Sequence, residues 1–192
     1  MVTQVNPHTA PLTCHPDMTS RWVQGIEARV GWTSGRSLAL TFSLHGDISR
    51  LRIPPPRPPL RADGLWQHTC FEVFIAEKGQ PTYYEFNFSP SGEWAAYVFK
   101  SYRDGAAIED DGLDPKITVR WPANHLELDV IVRLDRLQAG SSQTPLRFGL
   151  STVVEENDGT LSYWALKHPA GKPDFHHSDS FALELALPDE SD

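Results

Sequence analysis

From Trp22 onward, apolar and polar residues alternate along the chain with a period of two. Ile26, Ala28, Val30 and Trp32 share one phase. Leu38, Leu40, Phe42 and Leu44 repeat it beyond a turn at Thr33–Arg36. Successive side chains of an extended chain point to opposite faces, so this pattern predicts strands with one buried face. It recurs at Phe71, Val73 and Ile75, at Tyr84, Phe86 and Phe88, and at Trp94, Ala96 and Val98. The last two runs are joined by Ser89-Pro-Ser-Gly92, short enough to predict a hairpin. Further strands are predicted through Ile117–Trp121, Leu126–Val132, Leu146–Val154, Leu161–Ala165 and Phe181–Leu187, with a hairpin turn at Asn157-Asp-Gly159. Leu134–Leu137 reads as one helical turn, and no longer window carries a helical period. About ten or eleven short strands with this one-sided patterning predict an all-β fold, a two-sheet antiparallel β-sandwich of jelly-roll type.

Residues 1–20 are polar and contain prolines, and read as an arm or an irregular first strand. Residues 21–188 form the sandwich domain, and residues 189–192 an acidic tail. The run Pro54-Pro-Pro-Arg-Pro-Pro59 cannot be an interior strand, because proline lacks the N–H that a ladder needs. It reads as a rigid surface crossing, with a polyproline recognition motif as the alternative. Residues 103–115, polar and holding Asp-Gly pairs at 104–105 and 111–112, read as a long loop.

Apolar residues at 40% and charged residues at 22% describe a globular chain. The 25 acidic against 17 basic residues give a net charge of −8, which would repel a phosphate backbone, so no nucleic-acid partner is expected. No apolar run is long enough to span a bilayer, so no membrane partner is expected either. The first residues lack a basic start followed by an apolar stretch, and a cytoplasmic location is the expectation. Cys14 and Cys70 read as two reduced thiols rather than a disulfide framework.

Trp32, Trp94 and Trp121 fit the apolar phase of their strands and read as core. Trp66 stands in the polar stretch Asp63-Gly-Leu-Trp-Gln-His68. Trp164 points away from Tyr163, which shares the phase of Leu161. An aromatic face at a concave surface can stack on a sugar ring, so Trp66 and Trp164 are ligand-contact candidates, with core packing as the alternative. Glu72 lies opposite in phase to Phe71 and Val73. Glu85 and Asn87 share an outer phase with Tyr83, and Arg103 ends the region. Together they make either a polar recognition surface or an ordinary wet face.

Signals for chemistry are weak. His168, His176, His177 and Asp179 could supply metal ligands, but adjacent histidines on a strand point opposite ways, and no metal motif is present. No nucleophile elbow occurs, and Gly171-Lys172 is not a phosphate loop. Paired carboxylates such as Glu72 and Glu85 could serve hydrolysis. The reading is of a protein that is not an enzyme and needs no cofactor or metal.

The segments Leu65-Trp-Gln-His-Thr-Cys-Phe-Glu-Val-Phe-Ile75 and Tyr83-Tyr-Glu-Phe-Asn-Phe-Ser-Pro-Ser-Gly92 carry a resemblance. Together with Tyr163-Trp-Ala165 and His176-His-Ser-Asp-Ser-Phe181, they resemble the DOMON-like superfamily that includes family 9 carbohydrate-binding modules. The resemblance spans about residues 20 to 188. It implies a sandwich of about eleven strands and non-catalytic ligand binding, to sugars in some members and haem in others. It implies that Trp66 and Trp164 flank a sugar unit while Glu72 and Arg103 grip its hydroxyls. Haem binders of this kind use Met with His or Lys as axial ligands, and here the only internal methionine, Met18, lies in the leader. The alternatives are a structural or protein-interaction sandwich, a haem module, and a metal-assisted or carboxylate-based hydrolase.

Overall fold

The structure, a computed structural model, describes residues 5–33, 37–122, 124–135, 137 and 144–188. The turn expected at 33–36 and the acidic tail at 189–192 lie largely or wholly outside the described residues, as does part of the helical turn at 134–137.

The described residues form twelve strands, with no α-helix and four single 3-10 turns. The strands are β1 (Val5–Cys14), β2 (Val23–Trp32), β3 (Leu38–Gly46), β4 (Cys70–Glu77), β5 (Tyr83–Phe88) and β6 (Trp94–Ser101). They continue as β7 (Asp104–Ala107), β8 (Lys116–Arg120), β9 (His125–Val132), β10 (Leu146–Glu155), β11 (Leu161–Ala165) and β12 (Leu183–Leu185). Every ladder is antiparallel. The front sheet runs β1-β2-β3-β9-β8 and the back sheet β7-β6-β5-β4-β10-β11, with β12 beside the first half of β10. The end of β1 leaves the front sheet and pairs with β11, joining the two sheets at one corner.

The predicted phases hold. Ile26, Ala28, Val30, Leu40, Phe42 and Leu44 of the front sheet face Phe71, Val73, Ile75, Phe86 and Phe148 of the back sheet in one core. Phe42 meets Phe71 across the gap with ring centroids 5.2 Å apart. Each such side chain contributes about 1.5–3 kcal/mol by leaving water.

Three expectations are corrected. Residues 104–107 are not loop but the edge strand β7. This strand carries no bulky apolar residue because Gly105 lies against Phe99, where a Cβ would come within 2.4 Å of the ring. Trp121, read as core, is half exposed, because β8 ends at Arg120 and the alternation runs past the ladder. Of the two alternatives for the first residues, 5–14 take the second, an irregular strand with one register shift between Val5 and His8. Finally, the back sheet is apolar on both faces. Phe74, Ala76, Tyr83, Val153 and Ala165 form a second cluster on its outer face, beneath Phe175 and Phe181 of the segment that follows β11.

That segment, residues 166–182, is a strap across the outer face. His168 Nε2 lies 2.8 Å from the Thr13 carbonyl and His15 Nε2 2.9 Å from the Gly171 carbonyl. Arg147 Nη2 donates to the carbonyls of Ser178 and Phe181, both at 2.9 Å. Gly149 permits the close approach, since a Cβ there would stand 3.0 Å from the Phe181 ring and 3.3 Å from the Ser180 carbonyl oxygen.

Candidate functional site

Beside the strap, the outer face of the back sheet sinks into a cavity of about 380 Å³. Its floor follows from strand order and phase. Glu72 on β4 is paired laterally with Asn87 on β5 and Ser151 on β10, so the three side chains share the outer face. Glu85 on β5 is paired with Tyr97 on β6. The carboxyls therefore occupy the middle of the sheet. Tyr97 and Phe99 rise on the β6 side, and Tyr163 rises on the β11 side with the Phe175 ring 6.0 Å from it. Aromatic walls thus flank an acidic floor.

Trp66 completes the lining and is 53% exposed. It sits in a 3-10 turn, Leu65–Gln67, opened by Gly64 at φ +75°, a left-handed conformation that favours glycine. The turn is tied down on both sides. The Tyr97 hydroxyl donates to Asp63 at 3.2 Å, and His68 Nδ1 lies 2.7 Å from Glu155 Oε2. Arg52 also donates to Glu155, at 2.7 Å. An exposed indole held by a braced turn is a preorganised face rather than a stray surface residue.

The carboxyls are almost without solvent contact, Glu72 at 3% and Glu85 at 5% exposure. Burial pushes the Glu72 carboxyl well up from its ordinary value, the Glu85 charge adds to this, and the Ser151 hydroxyl opposes it in part. Burial likewise raises Glu85 to about 7, against the Asn87 hydrogen bond and the Arg103 charge. Asn87 Nδ2 donates to Glu85 Oε1 at 2.8 Å. The Asn87 amide oxygen is buried and has no hydrogen-bond partner among the described residues.

A network at the rim fixes the strap against this floor. Tyr83 Oη accepts from the Arg103 N–H at 3.0 Å and lies 2.9 Å from His176 Nδ1. Donation from the tyrosine to Nδ1 leaves the other ring nitrogen, Nε2, carrying the proton 3.6 Å from Glu85 Oε2. Burial pushes His176 down to about 4, assisted by the Arg103 charge, so the ring is neutral at neutral pH. Arg103 takes φ +57° and pairs with Asp174 at 2.9 Å. Burial alone would raise Asp174, but the Tyr102 hydroxyl and Arg103 outweigh it and hold the acid below its ordinary value.

Of the residues singled out from sequence, Trp66, Glu72, Glu85 and Arg103 line this one cavity, and Asn87 braces Glu85 from the same face. Trp164 is the exception. It lies in the core between the sheets, 7% exposed, with Nε1 donating to the Ser162 hydroxyl at 3.1 Å. Its neighbour Tyr163 faces the cavity instead. Sequence reasoning also missed Tyr97, Phe99, Phe175 and His176 as lining residues. The apolar residues on both phases of Cys70-Phe-Glu-Val-Phe-Ile-Ala76 were the available signal that something covers the outer face. His176 and His177 lie in a turn of the strap, not on a strand, so the alternation argument does not apply to them. The first enters the cavity, and the second accepts from the Asp179 N–H at 3.2 Å. Both cysteines are free thiols.

No family profile matches the chain, and no curated protein matches it by sequence. Solved structures do match by fold. A Bacteroides uniformis protein named "putative carbohydrate-binding protein" superposes with a TM-score of 0.69 at 14% identity, covering 90% of this chain and 83% of that one. A family 9 carbohydrate-binding module from Caldicellulosiruptor kristjanssonii in complex with glucose gives 0.52 at 12% identity, covering 91% of this chain and 81% of the module. The structure in complex with cellotriose gives 0.51 at 10% identity, with coverages of 86% and 75%. The chain therefore shares the β-sandwich fold of these modules.

Proposed function

We propose that the cavity on the outer face of the back sheet binds one carbohydrate unit or a similar polyol, without catalysis. One observation carries the reading. Trp66 offers an exposed indole face at the mouth of a closed-bottomed cavity whose floor is built from hydrogen-bonding carboxyls. A pyranose presents an apolar C–H face and a rim of hydroxyls, and this lining meets each with its complement. The fold shared with proteins named for carbohydrate binding, two of them in complex with glucose or cellotriose, supports the same reading.

Hydrolysis by the acid pair is the weaker alternative. It needs one carboxyl protonated and the other ionised, with environments that drive the two apart. Here burial pushes Glu72 and Glu85 in the same direction.

A one-unit site predicts modest strength, roughly micromolar to millimolar, or about −8 to −4 kcal/mol. Titration with neutral mono- and disaccharides, followed by calorimetry and tryptophan fluorescence, tests it. A saturable response supports the reading. No response from any sugar up to about 10 mM, beyond the weak end of that range, overturns it.

A further inference from the structure

The described residues include six buried acids, and three of them pair with an arginine. Arg120 pairs with Asp129 at 2.6 Å, Arg57 with Glu93 at 3.2 Å and Arg52 with Glu155 at 2.7 Å. Glu156 accepts from the Ser20 hydroxyl at 2.8 Å and the Arg21 N–H at 3.2 Å. The cavity pair is treated differently. Glu72 has no ion-pair partner among the described residues. The nearest basic group to Glu85 is the neutral ring of His176, 3.6 Å away. The one cation at the rim, Arg103, is engaged by Asp174.

A pair of buried acids without a countercharge costs stability, and apart from Glu156 the other buried acids each have an arginine, so the cavity pair needs a reason for standing without one. The surroundings supply the reason. Beside the pair stands the buried Asn87 amide oxygen, an acceptor without a partner. Around it stand the aromatic side chains of Trp66, Tyr97, Phe99, Tyr163 and Phe175. Acceptor oxygens below and aromatic rings around are the surroundings that an organic ammonium seeks, since the ring faces attract a cation and the carboxylates neutralise it.

We propose that the ligand of this site is an amino sugar, its ammonium seated on Glu72, Glu85 and Asn87 and its ring held among the aromatic walls. This rests on the carbohydrate reading above and narrows it. Apart from the neutral donors Ser151 and Asn87, the other groups facing the floor do not compete for the acids. Tyr97 is bonded to Asp63, and burial with the Asp63 charge pushes its hydroxyl up to about 12. Burial and the two glutamates hold the Cys70 thiol well above its ordinary value, hence neutral. Tyr83 is committed to Arg103 and His176, and burial raises both Tyr83 and Tyr163. An arriving ammonium would draw protons off the glutamates, so binding should release protons.

The experiment compares D-glucosamine, N-acetyl-D-glucosamine, D-glucose and methylammonium with the intact chain at about pH 6, where an aliphatic amine is protonated. Calorimetry in two buffers of different ionisation enthalpy counts the protons exchanged. The proposal expects glucosamine to bind at least tenfold tighter than the acetylated or neutral sugar, and tighter than methylammonium. Proton release should accompany glucosamine alone among the sugars. The preference should vanish in E72Q/E85Q, whose fold is checked by circular dichroism. Equal affinity for glucosamine and glucose overturns the amino-sugar proposal and leaves the carbohydrate reading standing. Methylammonium binding as tightly as glucosamine overturns the role given to the ring. No binding by any of the four probes to the folded protein overturns the amino-sugar proposal, and the carbohydrate reading falls with it only when the wider panel of mono- and disaccharides is silent too.

Discussion

Replacing Glu85 by Gln tests whether the cavity floor carries protons at neutral pH. The exchange keeps the shape and keeps an oxygen for Asn87 Nδ2, but removes the titration. Glu85 rises from an ordinary 4.5 to about 7 in the folded chain. Between those values the folded protein holds a proton that the unfolded chain has released. Stability is therefore greatest below pH 4.5 and declines as pH rises through about 7. At 1.36 kcal/mol per pH unit the loss is about 3 kcal/mol, complete by about pH 8. The wild-type curve alone would conceal it. His176 is pushed from 6.5 to about 4, so the unfolded chain binds the extra proton in that window and stability rises with pH up to about 6.5. The two slopes oppose each other through most of the acid range. The difference between wild type and E85Q removes the histidine and leaves the glutamate, together with the part of the Glu72 lift that the Glu85 charge causes. Urea unfolding followed by tryptophan fluorescence from about pH 4.5 to about pH 8.5 gives that difference. We expect wild type to lose about 3 kcal/mol relative to E85Q as pH rises across the range. A flat difference, within about 0.5 kcal/mol, would refute the buried, protonated floor. A difference of opposite sign would mean that Glu85 is an ionised partner of Arg103.

Three further outcomes follow from the same geometry. Trp66→Ala should weaken sugar binding tenfold or more by calorimetry while changing the unfolding free energy in urea by less than about 0.5 kcal/mol, because the indole is mostly outside the packed interior. Trp164→Ala should do the reverse, costing about 3–5 kcal/mol in urea unfolding with affinity retained where the protein stays folded; lost affinity at full stability would return Trp164 to the site. Gly149→Val should lift the strap, costing about 1–3 kcal/mol by overpacking against Phe181 and exposing residues 170–181 to limited proteolysis; unchanged cleavage would show that the strap is held without this contact.

The fold was legible because each long strand keeps one continuous apolar phase toward the core, as at Leu40, Phe42 and Leu44. The site was half legible for the same reason. Glu72, Glu85 and Asn87 interrupt apolar strands on the phase that should face water, and a polar side chain there is visible whatever covers it. What alternation cannot reveal is which of two apolar phases is the inner one. Leu161, Tyr163 and Ala165 form a greasy stripe, yet Trp164, which shares its phase with Ser162, is the side chain that packs in the core. Only the strap decides between them, by bringing Phe175 over Tyr163. The strap itself has no period, since it is held by side chains reaching backbone carbonyls, as Arg147 does at Ser178 and Phe181. Contacts of that kind join residues distant in sequence and leave no local pattern. β7 was hidden differently. Its small residues are set by the Phe99 ring opposite, so the signal for that strand lies in its neighbour.

The two apolar layers separate duties that a simpler sandwich would combine. The core between the sheets contains Phe42, Phe71, Phe86 and Phe148 and joins the two sheets. The outer cluster of Phe74, Tyr83, Phe175 and Phe181 has a different task. It anchors a strap whose edge becomes one wall of the cavity. Because the wall rests on the strap and the floor rests on the sheet, substitutions at Phe175, Pro173 or His176 can reshape the opening without touching the main core. The same division explains why two unpaired carboxyls are tolerated. Their penalty falls on a face whose loss would not open the main core, and it is smallest when they are protonated. A ligand that supplies the missing countercharge would relieve that penalty, so the strain built into the floor becomes part of the affinity for whatever neutralises it.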